Sequence, residues 1–319
     1  MDLSARRVLI TGGAGHVGSR LASLLVDDHE VVVADDLSVG ERDRVPAQAT
    51  FIEGDLSDAD RAREAMTDVD VAFHLAVDTK DVAAGARRQF EANVGLTFSV
   101  LEAAIEAGVE HLVFTSSSTV YGEDVPRPTP EDHGPMAPIS AYGAAKLAEE
   151  GILSTAVEAA DMTVGIARLA NVVGPVFDGT VVPDFVRKLV RDPTRLEILG
   201  DGRQEKSYVY VDDVAEALVR IATDANRPFD VVNVGTPGAI TVRRVADIVS
   251  AVLEVEPSYS YTGGDRGWTG DVPRMELAVD RLQSLGWTPA HDCEGAVRRA
   301  ATELAERHPD APSPTGETG

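Results

Sequence analysis

The stretch VLITGGAGHVGSR, residues 8–20, decides the fold of this chain. Gly12, Gly15 and Gly18 follow a short apolar run at intervals of three residues and lead into an amphipathic helical pattern. Glycine lets a backbone approach a phosphate closely, and a helix N-terminus offers N–H groups and the positive end of its dipole. The spacing therefore predicts a strand, a tight turn and a helix that bind a dinucleotide.

Apolar runs and helical patterns alternate along the first half of the chain. Strands are predicted at residues 6–11, 30–36, 70–76, 111–118 and 163–172, and helices at residues 16–28, 58–67, 93–108 and 141–161. The strands are apolar throughout, which is typical of a parallel, doubly wound α/β sheet covered on both faces. Beyond it, helices are predicted at residues 182–192 and 241–254, a strand followed by a helix at 207–224, a strand at 230–235 and a functional loop at 257–275.

The pattern changes after Gly174 and divides the chain into two predicted domains. Residues 1–174 are predicted to form the dinucleotide-binding domain, to which residues 207–235 return. Residues 175–206 and 236–308 are predicted to form a smaller α/β substrate-binding domain. The tail, residues 309–319, is rich in proline, glycine and charge and is predicted to be disordered.

Composition limits the possible partners of the chain. It has 319 residues and a formal net charge of −24, which argues against nucleic acid and anionic membranes as partners. No apolar run approaches the ~20 residues of a membrane span, and the N-terminus does not resemble a signal peptide. A cytoplasmic location is therefore expected. The single cysteine, Cys293, excludes an internal disulfide and a cysteine-based metal site, and no metal is expected.

An aspartate at the end of the second predicted strand indicates which dinucleotide binds. Asp35 lies 20 residues beyond Gly15, where a carboxylate accepts hydrogen bonds from a ribose diol and repels a 2′-phosphate. Asp36 follows it instead of an arginine. The sequence therefore predicts NAD and not NADP as the cofactor.

The segment YGAAK places Tyr142 and Lys146 four residues apart, on one face of a predicted helix. A tyrosine with an ordinary pKa of ~10 is a poor base at neutral pH. A nearby ammonium group and a positively charged nicotinamide ring both favour the phenolate. The pair is therefore predicted to act as a catalytic acid and base.

At this point the chain resembles the extended short-chain dehydrogenase/reductase family and, within it, the NAD-dependent nucleotide-sugar epimerases. The resemblance spans nearly the whole chain, from TGGAGHVG to LGW at residues 285–287, and rests on ordered motifs: DDLSVG, EGDLSD, HLA, NVGLT, SSSTVYG, YGAAK, RLANVVGP, GDGRQEKSYVYVDDV and RGWTGDVP. It implies a Rossmann-like fold with a smaller C-terminal domain. It also implies a homodimer that pairs through the helices after Asn93 and after Ala141.

The resemblance implies roles for individual residues. Tyr142 would be the acid and base, Lys146 its electrostatic partner on the nicotinamide ribose, and Ser117 the hydroxyl that binds the reacting sugar oxygen. Residues implied in cofactor binding are Gly12, Gly15, His16, Val17, Gly18, Asp35, Asp36, Leu37, Ser38, Gly40, Asp55, Leu56, Leu75, Ala76, Asn93, Ser116, Tyr142 and Lys146. Residues implied in substrate binding are Ser117, Ser118, Asn171, Val182, Leu196, Ile198, Lys206, Arg266 and Asp271. The backbone of residues 196–202 is implied to pack against the nucleotide base, and residues 79–85, which depart from the family pattern, to lie beside the sugar.

Two features of the implied substrate site depart from the family pattern. Family members that dehydrate sugars carry an Asp-Glu pair after the catalytic hydroxyl, and decarboxylases carry a glutamate at the second of these positions. Ser118 and Thr119 occupy these positions here and supply no general acid or base, which favours epimerisation. Lys206 stands where the family usually has an arginine, and Arg266 is the second candidate for contact with the diphosphate.

The predicted function is C4 epimerisation of a nucleotide sugar, most simply a UDP-hexose or a UDP-uronic acid, through a transient 4-keto sugar. A reductase, a dehydratase or an epimerase at another carbon is the alternative within the family. An NAD-sensing binding protein is the non-enzymatic alternative, but such a protein has no reason to keep Ser117, Tyr142 and Lys146 together. The sequence leaves the sugar, the base and the carbon open.

Overall fold

A seven-stranded parallel sheet forms the centre of the computed structural model, which describes residues 6–78, 85–176, 180–224, 227–268 and 270–307. Its order across the sheet is β11 (Phe229–Val234), β6 (Thr163–Leu169), β5 (His111–Ser117), β4 (Val71–His74), β1 (Arg7–Thr11), β2 (Glu30–Asp35) and β3 (Thr50–Glu53). In register, Ile10 of β1 pairs with Val33 of β2 and Phe73 of β4. The carboxyl ends of these strands therefore meet at one edge of the sheet.

Alternate residues of each strand point to opposite faces, and both faces are buried. Val8 and Ile10 pack on one face under α1 (His16–Leu25) and α6 (Val211–Asp224). Leu9 packs on the other face under α2 (Ala59–Ala65), α3 (Ala86–Ala107) and α4 (Ala141–Ala159). This arrangement confirms the predicted doubly wound sheet.

The remaining elements surround a second hydrophobic core. Short strand pairs join β7 (Asn171–Val173) to β10 (Tyr208–Tyr210), β8 (Arg195–Ile198) to β13 (Ser258–Tyr261), and β9 (Glu205–Lys206) to β12 (Ile240–Thr241) and β14 (Arg274–Met275). This core lies among α5 (Val181–Arg191), α7 (Val242–Val252) and α9 (Cys293–Glu306), while α8 (Asp280–Ser284) packs beside β11. None of the helices in the described ranges is long and apolar enough to cross a membrane.

The segment expected to return to the first domain contacts it in two places. Strand β11 is the outermost strand of the large sheet and pairs with β6, and α6 packs against α1. Both contacts lie between residues 207–235 and elements of the predicted dinucleotide-binding domain. The domain boundaries themselves stay a prediction.

Several predicted boundaries differ from the structure, and three of these differences have an identifiable cause. Helix α3 begins at Ala86, seven residues before the predicted start at Asn93, because its first two turns are polar and lack the apolar period. Helix α4 ends at Ala159 and not at Asp161, because Ala160 is extended. The predicted loop 257–275 contains β13 and β14. These strands were not predicted because both are short and β13 alternates serine with tyrosine.

Two sequence predictions fall outside the described residues. Residues 79–84 belong to the segment Thr79–Gly85, which was expected to lie beside the sugar. The predicted disordered tail, residues 309–319, is the other.

Candidate functional site

A cleft of about 820 Å³ lies at the carboxyl edge of the large sheet and extends to α5, β9 and the loop before β14. It brings together most residues predicted from the sequence: Gly12, Gly15, His16, Val17, Gly18, Asp35, Asp36, Ser38, Gly40, Asp55, Leu56, Leu75, Ala76, Ser116, Ser117, Tyr142, Lys146, Asn171, Lys206 and Asp271. The residues Leu37, Asn93, Ser118, Val182, Leu196, Ile198 and Arg266 were also predicted but do not line it.

The glycine turn after β1 leaves no room for side chains. Gly12 has a φ of +67°, and a Cβ added there would lie 2.8 Å from the backbone of Ala76. A Cβ on Gly18 would lie 2.3 Å from the carbonyl oxygen of Gly12. The turn is therefore a backbone cradle at the N-terminus of α1, which fits the pyrophosphate of a dinucleotide.

Asp35 is fixed at the end of β2 by backbone donors. Its carboxylate accepts hydrogen bonds from the N–H of Ala14, at 3.0 Å, and of Leu37, at 2.9 Å. A Cβ on Gly40 would come within 2.9 Å of the same carboxylate. Leu37 therefore acts on the site through its backbone, at a φ of +55°, and its side chain packs in the core instead of lining the cleft.

Asn93 lies behind the wall of the cleft and contacts Asp78, which lines it. It is buried in α3, and its side-chain oxygen accepts a hydrogen bond from the N–H of Asp78 at 2.8 Å while its amide donates to the carbonyl of Asp78 at 3.0 Å. This clamp holds the segment after β4 that carries Leu75 and Ala76. Asn93 therefore supports the cofactor wall, and its direct contact with the cofactor stays a prediction.

The start of α4 brings Tyr142 close to the end of β5. Gly143 allows this approach, because a Cβ there would lie 2.9 Å from the carbonyl oxygen of Thr119. Lys146 is buried one turn further on, with its Nζ 4.4 Å from the centroid of the Phe114 ring and 5.9 Å from that of the Tyr142 ring. The two residues predicted to act as a pair thus lie on one face of the helix, Lys146 buried and Tyr142 partly exposed.

Ser117 has its hydroxyl oriented by Thr119. Its oxygen accepts hydrogen bonds from the Thr119 N–H at 3.2 Å and from the Thr119 hydroxyl at 3.0 Å. A hydroxyl that accepts twice has its own proton left to donate. Ser118 is buried behind this turn and does not line the cleft, which corrects its expected contact with substrate.

A buried ion pair that the sequence analysis missed supports Ser116. The Ser116 hydroxyl donates to Glu150, and Glu150 accepts from Arg168 at 2.6 Å. Arg168 also donates to the Tyr121 hydroxyl at 2.9 Å. The arginine of RLANVVGP and the glutamate after YGAAK were the signals available in the sequence.

The substrate side of the cleft contains a second buried ion pair. Lys206, predicted to contact a phosphate, pairs with Asp271, and its Nζ lies 4.9 Å from the centroid of the Trp268 ring. Arg266 does not line the cleft, because its guanidinium group donates to Glu123 at 2.9 Å and to the Asp271 carbonyl at 3.0 Å. In this arrangement Arg266 supports the Asp271 loop, and its direct contact with a ligand stays a prediction.

Val182, Leu196 and Ile198 are fully buried in the second hydrophobic core. Their side chains pack α5 and β8 into that core and do not line the cleft, so substrate contact through their backbone stays a prediction. Backbone contact between residues 196–202 and a nucleotide base stays a prediction. Asn171 does line the cleft, and its amide donates to the Ser207 carbonyl at 3.3 Å.

Two cations in the cleft were missed. Arg187 and Lys188, on α5, line the cleft, and Lys188 pairs with Asp184 at 2.8 Å. The burial of His16, with a smaller contribution from Arg44, lowers its pKa to about 4, so His16 is neutral at pH 7. The positive charge of the cleft therefore comes from lysine and arginine. The amphipathic pattern of α5 was the only signal in the sequence for the charges that this helix contributes.

The comparison with known proteins assigns the family. The model of the NAD dependent epimerase/dehydratase family matches residues 8–235. The chain belongs to that family. Within it, a UDP-glucose 4-epimerase of Mycolicibacterium smegmatis is 34% identical over 302 residues, which cover 89% of this chain and 93% of the relative.

Solved structures agree with this assignment. The crystal structure of a UDP-galactose 4-epimerase has a TM-score of 0.86 and 39% identity, covering 94% of this chain and 99% of that one. A UDP-glucose 4-epimerase of Thermus thermophilus in complex with NAD has a TM-score of 0.84 and 30% identity, covering 93% and 98%. The predicted family resemblance, Rossmann-like fold and NAD cofactor are confirmed.

Proposed function

We propose that this epimerase/dehydratase family member epimerises a UDP-sugar at C4, most simply a UDP-hexose or a UDP-uronic acid. The observation that carries the proposal is the wall formed by Ser117, Tyr142 and Lys146 beside the glycine turn, with Thr119 where elimination would need an acid or base. The relatives named above, which are UDP-glucose and UDP-galactose 4-epimerases, support the same reaction.

The chain's own residues account for the proton steps. The Tyr142 phenolate takes the proton of the sugar 4-hydroxyl, and the buried ammonium of Lys146 favours that phenolate. The Ser117 hydroxyl donates to the sugar O4, because its oxygen already accepts twice from Thr119. NAD, when bound, supplies the hydride acceptor and donor. The 4-keto sugar turns in the cleft, so that hydrogen returns to the opposite face of C4, and the Tyr142 hydroxyl returns its proton to O4.

Dehydration, the other reaction in the family name, is not favoured by this site. The Thr119 hydroxyl has an ordinary alcohol's chemistry and donates to Ser117, so it supplies no proton acceptor for elimination. A net reductase would convert NADH into NAD in each turnover and would have to exchange that NAD for new NADH. Retention of NAD through many turnovers therefore separates epimerisation from reduction.

The diphosphate of the substrate is proposed to meet the cations of the far side of the cleft. Lys206 supplies an ammonium group at β9, and Arg187 and Lys188 supply two further cations on α5. A substrate that carries two phosphate charges fits a cleft with these groups in an otherwise acidic protein. The nucleotide base and the sugar stay to be identified by experiment.

We also propose that the protein is a homodimer paired through α3 and α4. These helices pack side by side, and the exposed face of α3 carries Phe98, 46% exposed, and Ile105, 36% exposed. Phe98→Glu is expected to convert the dimer into a monomer in light scattering, because it buries an unpaired charge in the interface. An unchanged mass, or a wild-type monomer, would contradict this pairing. The cytoplasmic location also stays a prediction.

The activity is tested by proton NMR of the anomeric region with the purified protein, NAD and a panel of UDP-sugars. A signal of the C4 epimer that approaches equilibrium from either side, with no accumulation of NADH, is expected for one substrate. A 4-keto-6-deoxy product or stoichiometric NADH would assign another reaction of the family.

Tyr142→Phe separates the chemistry from cofactor binding. The change removes only the phenolic oxygen, so turnover is expected to fall by about 1000-fold or more while the protein keeps its NAD. Turnover and bound NAD are measured on the same preparation. Turnover within tenfold of wild type would overturn the proposed role of Tyr142.

A further inference from the structure

Glu149 is a buried carboxylate that the mechanism above does not use. It lies one turn after Lys146 on α4 and is 1% exposed. Its Oε2 lies 3.3 Å from the Nζ of Lys146, and its Oε1 accepts a hydrogen bond from the Thr97 hydroxyl of α3 at 3.0 Å. A buried carboxylate beside a buried ammonium affects where that ammonium lies. It also reduces the electric field that the ammonium exerts on neighbouring groups.

Thr97 connects Glu149 to His74 on β4. The Thr97 oxygen lies 3.1 Å from Nε2 of His74, and Nδ1 of His74 lies 2.8 Å from the Thr11 hydroxyl. Complete burial, and secondarily the charge of Lys146, lower the pKa of His74 to about 3. The imidazole is therefore neutral at pH 7, with one donor and one acceptor nitrogen.

The hydrogen bonds fix the direction of the whole chain. The single Thr97 proton goes to Glu149, so Thr97 accepts from Nε2–H of His74. Nδ1 then accepts from the Thr11 hydroxyl. The Thr11 oxygen in turn accepts from the backbone N–H of residues 75 and 76, at 3.2 and 3.1 Å. One ordered chain thus runs from the cofactor wall of the cleft to the carboxylate beside Lys146.

We propose that Glu149 is a positioning residue, whose carboxylate holds the ammonium of Lys146 beside Tyr142 and offsets part of its charge. The proposal rests on the role of Tyr142 given above but not on the identity of the substrate. Among the described residues, the groups that face Lys146 are Glu149 and Tyr142 on its own helix, neutral His74 on β4, the Phe114 ring on β5 and uncharged Thr97 on α3. Glu150, the next residue, is paired with Arg168.

The charge of Glu149 is tested by Glu149→Gln, which keeps the shape of the side chain. The ultraviolet absorbance of the phenolate is followed against pH in the NAD-bound protein, with the same titration of a Tyr142→Phe counterpart subtracted. The phenolate is expected to appear about one pH unit lower in Glu149→Gln, because the ammonium field is no longer offset. An unchanged or higher pH would overturn the proposal.

The matched control is Glu158→Gln, which removes a carboxylate from the exposed end of the same helix. Its phenolate titration is expected to coincide with that of wild type, since salt and water screen a distant surface charge. An equal shift in both variants would overturn the proposal by assigning the effect to net charge. These titrations need no substrate, so a failure of the proposed epimerisation would be seen separately, in the wild-type NMR assay.

A second pair of variants tests the positioning without removing the charge, and does not depend on the folding of Glu149→Gln. Thr97→Val deletes the hydroxyl that holds the carboxylate, and Thr97→Ser keeps it. Turnover is expected to fall about tenfold in Thr97→Val and to recover in Thr97→Ser, with the midpoint of the pH–rate profile unchanged in both. Wild-type turnover in Thr97→Val would overturn the positioning role.

Discussion

Asp35, on the cofactor side of the cleft, is held by the backbone N–H groups of Leu37 and Ala14, which lie 2 and 21 positions from it in the sequence. Asp271, on the substrate side, pairs with Lys206, which lies 65 positions from it. The cofactor side is made of turns that follow consecutive strands of one sheet. The substrate side is made of side chains that meet only after β9 and the loop before β14 come together. Local backbone donors therefore determine the position of Asp35, whereas Asp271, which also accepts from the N–H of Gly267, depends in addition on a charge from a distant segment.

This difference predicts different sensitivities. A cradle made of backbone tolerates no added Cβ, but it depends little on the charge of any one side chain. A site made of paired side chains tolerates small changes of volume, but loses stability when one partner of a buried pair is removed. The following variants test this contrast, from the largest expected effect to the smallest.

Gly18→Ala tests the cradle on the cofactor side. The new Cβ would lie 2.3 Å from the Gly12 carbonyl, so the turn has to open. We expect a ~1000-fold loss of NAD affinity, about 4 kcal/mol, measured by calorimetry on protein stripped of its cofactor. Gly95→Ala is the matched control, since it also lies in a helix but has open space around its Cα. Equal NAD affinity in the two variants would remove the distinction between the two sides.

Asp271→Asn tests the paired charges on the substrate side. It leaves the buried Lys206 ammonium without its counter-charge, so we expect a loss of about 3 kcal/mol in the free energy of unfolding and unchanged NAD affinity. Urea unfolding measures the loss. Glu91→Gln, which breaks the exposed Arg87–Glu91 pair, is expected to leave the free energy of unfolding unchanged within the error of the measurement. Comparable losses in both variants would contradict the account of the Lys206–Asp271 pair.

The pH dependence of stability sharpens the contrast on the cofactor side. The pKa of His74 is about 3 in the folded protein and the ordinary 6.5 in the unfolded chain, so only the unfolded chain takes up this proton between pH 6.5 and 3. His74 is therefore expected to cost about 2 kcal/mol of stability between pH 7 and pH 5. Unfolding at both pH values in wild type and in His74→Gln measures the difference. A His74→Gln protein with the same pH dependence would show that His74 does not carry this cost.

The large sheet and the cofactor side could be predicted because their determinants are local. The run of apolar residues before Gly12 and the spacing to Asp35 are properties of short segments, and local periodicity reports them directly. The start of α3 at Ala86 was missed because its first turn is polar, and a polar turn shows no helical spacing of apolar residues. The strands β13 and β14 were missed because they exist only through pairing with distant partners.

The substrate side could be predicted only in part. Lys206 and Asp271 were identified as site residues, but their pairing with each other depends on how two distant segments fold together. Arg266 was expected to face a ligand, and the structure pairs it with Glu123, 143 positions away. Glu149 was not recognised, because nothing in the segment around it distinguishes a buried carboxylate from an exposed one.

The measurement that tests the central claim most directly is epimerisation in D2O. The account holds that the hydrogen on C4 leaves the sugar and returns to it within the cleft, while only the hydroxyl proton, handled by Tyr142, exchanges with water. Proton NMR of the product should therefore show a C4 epimer that carries no deuterium at C4. An epimer with deuterium at C4 would contradict the account, because the carbon-bound hydrogen would then have come from solvent.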